Sequence, residues 1–131
     1  MKTFDVEQFF LALADRTRLR LLNLMGDHEL CVCYFVQILE QSQPKISRHL
    51  AYLRKAGMVT ARREGKWMHY RLATPPNPGA AMVLRQTLAW MQDEKTMQRD
   101  RARMAQACCN PSQFVELQRA PVPAVAANSG Q

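Results

Sequence analysis

Apolar residues recur at helical spacing through the first 55 positions and again after position 80, while the stretch between them alternates. Val6, Phe9, Phe10 and Leu13 mark one face of an amphipathic helix over Phe4 to Ala14. Asp15 can cap a second helix, Arg16 to Met25, whose stripe is Leu19, Leu22 and Met25 and whose stop is Gly26. A third helix is predicted over Val32 to Leu39. Ser42 then caps a fourth, with Pro44 in its first turn, where a missing N–H costs nothing. Ile46, Leu50 and Leu53 share one face of this helix, and Gly57 ends it.

Trp67, His69 and Arg71 alternate with Met68, Tyr70 and Leu72, which predicts a strand. Glu64-Gly65 serves as the turn of a two-stranded wing with a basic tip. Thr74 to Gly79, with three prolines, reads as a rigid linker. A single long helix is predicted from Ala80 to Ala107. In it Val83, Trp90, Met97 and Met104 recur every seventh residue, a seam for helix–helix dimerisation or for packing on its own domain. After Pro111 the composition loses its period. Residues 1–110 therefore read as one DNA-binding and dimerisation domain and 111–131 as a disordered tail. The expected class is mostly α with a small β-hairpin, a dimeric winged helix-turn-helix.

Charge points to the partner. The 131 residues carry a formal net charge of +7. Eight Lys or Arg stand between Lys45 and Arg71 against a single acid, Glu64. On the fourth helix, Lys45, Arg48, Tyr52 and Lys55 lie opposite the apolar stripe, flanked by Ser47 and His49. A helix with one apolar and one basic, hydrogen-bonding face fits a major groove. Double-stranded DNA is the expected partner; Tyr52 is expected to pack against the wing rather than stack on DNA, and His49 turned inward is the alternative for that side chain.

The four cysteines supply the chemistry. Met1 to Phe10 carries Lys2, Asp5 and Glu7, and no stretch approaches the ~20 apolar residues of a spanning helix, so no membrane association and a cytoplasmic location are expected. In that reducing compartment cysteines serve as thiols or metal ligands. Cys31 and Cys33 fall at the start of the third helix, where the helix dipole favours a thiolate, and thiolates take soft ions such as As(III), Cd(II), Pb(II) or Cu(I). Residues i and i+2 of a helix face apart. Chelation by this pair is therefore expected to unwind the helix start and weaken DNA binding.

Several strings narrow the reading: Leu13-Ala14-Asp15 with Thr17-Arg18-Leu19, Glu29-Leu30-Cys31-Val32-Cys33, Ser42-Gln43-Pro44, Ser47-Arg48-His49-Leu50, Leu53-Arg54-Lys55-Ala56-Gly57 and Arg62-Arg63-Glu64-Gly65. In this order and spacing, over residues 4 to 105, they resemble the ArsR/SmtB family of metal-sensing repressors, arsenic-responsive type. The resemblance implies a homodimer joined through first and last helices on an inverted-repeat operator. It implies that Gln43, Ser47, Arg48 and His49 meet bases and phosphates, and that Arg62, Arg63 and Lys66 grip the backbone. It also implies a Cys-x-Cys-x-x-Cys ligand set, of which this chain keeps two members and has Val36 at the third. The family's Asp/His zinc site has no counterpart, because Ala80 to Ala107 lacks histidine.

As(III) prefers three sulfurs, so Cys108 or Cys109 is expected to join Cys31 and Cys33, or to form a separate site. Cys31 as a small buried hydrophobe and an incidental Cys108-Cys109 pair are the bland readings. The expected function is a repressor released by As(III), with Sb(III) second and no organic cofactor. A Cd(II), Pb(II) or redox-responsive repressor of the same fold is the alternative. A thiol enzyme is disfavoured by the helical periodicity and basic wing. A structural zinc protein is disfavoured because C-x-C and C-C do not match paired zinc knuckles.

Overall fold

A computed structural model of the chain describes residues 4–26, 28–109 and 124–125. The elements run α1 (Val6–Leu13), α2 (Arg16–Leu24), β1 (His28–Cys31), α3 (Val32–Leu39), α4 (Gln43–Lys55), β2 (Val59–Glu64), β3 (Trp67–Leu72), α5 (Pro78–Met91), α6 (Lys95–Cys109) and β4 (Ala124–Val125). This is a winged helix-turn-helix with helices at both ends.

Local chemistry sets the boundaries. Asp5, Asp15, Ser42 and Asn77 each cap a helix by accepting a hydrogen bond from a backbone N–H three residues on. Gly57, at φ 81°, ends α4: its N–H reaches Arg54 and that of Met58 reaches Leu53, the pairing of a Schellman stop. α3 ends differently, on Glu40 at φ 56°, a left-handed conformation held by a non-glycine residue. Phe9, Leu21, Leu22, Tyr34, Phe35, Ile46, Leu50 and Leu53 fill the core between α1 to α4.

The wing departs from a simple hairpin in two ways. Its two-residue loop is Gly65–Lys66, one position later than expected, because Glu64 pairs with Trp67 and Gly65 takes the positive φ that the first loop position of a type II′ turn requires. A third strand, β1, was not expected. It pairs antiparallel with β3 in the register Leu30↔Tyr70 and Cys31↔His69. β4 adds two residues to the outer edge of β1. The remainder of the segment read as a tail lies outside the described residues.

The single long helix is corrected to two. α5 stops at Met91 and α6 starts at Lys95, with the Gln92 carbonyl taken up by the side chains of Gln98 and Arg101. The seven-residue seam dissolves with it. Met97 and Met104 are buried in this chain, whereas Trp90 is 78% exposed. α6 folds back on α2 and α3, fastened by Arg20 to a buried Asp100 at 2.7 Å, by Asn23 to the Met97 carbonyl, and by Arg101 to Asn23. No helix among the described residues is long and apolar enough to cross a membrane.

Candidate functional site

Cys31 is the last residue of β1 and the N-cap of α3, with extended φ and ψ of −68° and 147°. Its side chain therefore folds back over the first turn instead of following the helical spiral. The Cys33 thiol donates to the Cys31 sulfur at 2.8 Å. The expectation that the pair must unwind α3 to meet is overturned, since it treated Cys31 as helical. Accepting the Cys33 hydrogen holds the Cys31 thiol down at about 7, against the opposing effect of burial, with backbone N–H groups at the helix start assisting. Cys33, as the donor, is pushed up. The pair thus favours one thiolate sharing one proton.

Tyr34 follows directly and is fully buried. Burial first, and then the nearby Cys108, Cys33 and Cys31 in that order, raise its phenol to about 12. Its hydroxyl has no hydrogen-bond partner among the described residues. Cys108 is half-buried on α6, its sulfur 3.9 Å from that of Met104. The side chain of Cys109 lies outside the described residues. Among the described residues, no three His, Cys, Asp or Glu side chains already stand together as a metal site.

α4 buries Ile46, Leu50 and Leu53 and exposes Gln43, Lys45 and Arg48, with Ser47 half-exposed. His49 sits against α2: its Nδ1 is 3.2 Å from Arg18 and 3.8 Å from Asp15. Burial first, and then Arg18, Lys45 and Arg48, push its pKa down, with Asp15 opposing. Tyr52, expected to pack on the wing, instead lies under the Arg18 guanidinium at 4.2 Å. Arg18 also donates to the carbonyls of Ala12 and Leu11, so one side chain fastens the end of α1 and the back of α4.

On the wing, Arg62, Arg63 and Lys66 are all exposed. Arg62 is engaged with Glu29 of β1 at 2.6 Å, which lowers the Glu29 carboxyl. Arg63 donates to the Gly65 carbonyl, and Lys66 stands 5.1 Å over the Trp67 ring. Sequence reasoning missed Arg18, Glu29, Tyr34 and Arg103, whose roles depend on partners 31 to 74 positions away and leave no local signal. Arg103 of α6 donates to the Ile38 carbonyl at 3.2 Å and pairs with Glu40 at 3.5 Å, capping α3 just before the turn into α4.

Large apolar side chains are exposed on both α1 and α5: Val6, Phe10 and Leu11 of α1, and Met82 and Trp90 of α5. Phe10 and Trp90 border one groove of about 500 Å³, with Leu13, Val83 and Met97.

The family model for bacterial regulatory proteins of the arsR family matches residues 15–61. The arsenical resistance operon repressor of Escherichia coli K12 is 42% identical over 104 residues, covering 79% of this chain and 87% of that protein. A homolog of the cadmium resistance regulatory protein CadC from Staphylococcus aureus is 39% identical over 69 residues, 52% of this chain and 57% of that one. The solution structure of the homodimeric winged helix-turn-helix DNA-binding domain of Mb0332 from Mycobacterium bovis aligns with TM-score 0.56 at 27% identity, covering 69% of this chain and 81% of that one. With these likenesses on the same helix-turn-helix that carries the thiol pair, the chain belongs to the arsR family of bacterial regulatory proteins.

Proposed function

We propose that the protein is a dimeric repressor that holds an inverted-repeat operator and releases it when As(III) binds Cys31 and Cys33. One observation carries this reading: two sulfurs lie 2.8 Å apart at the junction of β1 and α3. A thiolate and a thiol held in contact can close on one soft ion with a small separation of the two sulfurs, the second giving up its proton. β1 is laddered to the wing strand β3, and α3 leads through Glu40 and Gln41 into α4. An ion that draws on the pair therefore acts on both DNA-facing elements, and ~1–3 kcal/mol of coupling suffices for release.

Gln43, Ser47 and Arg48 read base edges and phosphates in this scheme, with Lys45 beside them. Arg62, Arg63 and Lys66 hold the backbone from the wing, and His49 orients the helix through Arg18. The two subunits meet through the exposed apolar faces of α1 and α5. The arsenic-linked name of the Escherichia coli relative favours As(III) over the other soft ions, with Sb(III) sharing its coordination. The cadmium-linked relative favours Cd(II) as the second reading. The scheme involves no turnover and no organic cofactor, and it suits the reducing cytoplasm.

The test is an operator-binding titration, on a duplex selected by the protein from a random pool, against As(III), Sb(III), Cd(II), Pb(II) and Zn(II). Release by As(III) from the native protein but not from Cys31→Ser supports the proposal. Release by Cd(II) or Pb(II) only supports the second reading. Release of Cys31→Ser at the native As(III) concentration overturns the role of the pair.

A further inference from the structure

A buried hydroxyl without a partner calls for an explanation, since native proteins satisfy most such groups. The Tyr34 hydroxyl is one among the described residues, and the thiols of Cys31 and Cys33 from the start of its own helix and of Cys108 from α6 lie within electrostatic reach of it. α6 packs on α3. Arg103 touches Ile38 and Glu40 at one end of α3. Cys108 stands five residues, about 7.5 Å, further along α6, and Tyr34 lies about 6 Å back along α3 from Ile38, a similar distance from the Arg103 contact. Cys108 packs against the same apolar cluster that contains Cys31 and Tyr34.

We propose that Cys108 of the same subunit supplies the third sulfur to a trivalent, three-coordinate ion such as As(III), the end of α6 closing onto the Cys31–Cys33 pair beside the Tyr34 hydroxyl. This rests on the reading of that pair as the effector site. The three thiols are not yet gathered, so closure shifts the last turn of α6. Val36, where the arsenic-responsive pattern places its third cysteine, packs against the core instead. The ligand therefore arrives from another helix.

The chemistry is ligand exchange without electron transfer. Arsenous acid brings three hydroxyls. Three As–S bonds form as three As–O bonds break, and the hydroxides leave as water, each with one proton. Two or three of those protons come from the thiols, and solvent supplies the third when Cys31 is already ionised. The movement has reach, because Arg103 links the same helix to the turn that precedes α4. Drawing in the end of α6 works on that turn directly.

The decisive measurement is X-ray absorption at the arsenic edge on the full chain, with one equivalent of As(III) and a phosphine as the only reductant. Native protein and Cys109→Ser should show three sulfurs, and Cys108→Ser two sulfurs and one oxygen. Operator release from Cys108→Ser should need at least about 10-fold more As(III), as expected when one arm of a chelate is removed. Two sulfurs in the native protein, or three in Cys108→Ser, would overturn the proposal. A mixed dimer of Cys108→Ser with Cys31→Ser should contain no three-sulfur site, and finding one would move the ligand to the other subunit. Cys31→Ser keeps the readings separate. If it responds normally, the effector site itself is misplaced; if it is silent while Cys108→Ser keeps three sulfurs, only the third ligand fails.

Discussion

Cys31 pairs with His69 across the β1–β3 ladder while its sulfur touches that of Cys33 in the first turn of α3. One residue thus belongs both to the wing and to the helix that supports the recognition helix. A displacement of its side chain cannot be absorbed by a loop, because no loop separates the two elements.

The shared proton of the thiol pair predicts a pH signature. Cys31 titrates below an ordinary thiol and Cys33 above one. As pH rises through about 7, the folded protein releases a proton that the unfolded chain still holds, so stability increases. Above roughly 8.5 the unfolded Cys33 ionises and the folded one does not, so the gain reverses. Denaturant unfolding from pH 6 to 10 should show a maximum between these limits. Cys33→Ala should remove it and raise the Cys31 titration seen by thiolate absorbance.

Tyr34→Phe should leave the ion-free protein as stable as native or more so, by about 1 kcal/mol, because it deletes a buried hydroxyl without a partner. The same change should weaken As(III) binding by a few-fold if the hydroxyl donates to a bound sulfur. Thermal unfolding and As(III) titration read the two effects separately. A marked loss of stability would mean that the hydroxyl is satisfied in solution.

Asp100 is 2% exposed and holds the Arg20 guanidinium in two hydrogen bonds. Asp100→Ala should cost about 2–4 kcal/mol, discounted from a fully buried pair because Arg20 keeps some access to water. The loss should appear as a lower denaturant midpoint with little change in slope. It should also loosen α6, visible as faster amide exchange over residues 95–108.

The dimer face should separate from the core by mutation. Trp90→Asp and Phe10→Asp should give folded monomers with weak operator affinity, since both side chains project from the surface. Met97→Asp should unfold the domain instead, because Met97 is buried within it. Sedimentation together with circular dichroism distinguishes these outcomes.

The basic positions should divide by role. Arg63→Ala and Lys66→Ala should weaken binding to all duplexes and lower the salt slope by about 1 each. Arg48→Ala and Gln43→Ala should relax discrimination at particular base pairs. Arg62→Ala should lower the slope less than Arg63→Ala, because its guanidinium is shared with Glu29. Fluorescence anisotropy over a salt series would reveal the ranking.

Much of this architecture is legible locally. The caps Asp15 and Ser42, the stop at Gly57 and the alternation through the wing place α2, α3, α4 and β3 within a residue or two. What escapes is set at long range. β1 is four residues long and exists through its pairing with β3. The break at Gln92 to Glu94 has no glycine or proline to announce it, and it is accompanied by a pairing of Arg16 with Glu94 and by Met97 turned inward. A heptad count cannot tell a seam between subunits from one that turns halfway along. For the candidate site, the cysteines are visible at once, but their meeting depends on a backbone angle at Cys31 that spacing does not encode.

The interruption between α5 and α6 has a mechanical meaning. α5 carries the outward apolar face, and α6 carries Cys108 and Arg103. A continuous helix would transmit any tug on its far end into the subunit contact as a rotation. With three non-helical residues between them, α5 and α6 are not one continuous rod. Under the proposed mechanism the protein would change its grip on DNA while its stoichiometry stays constant, each subunit of a pair answering an ion without parting from the other.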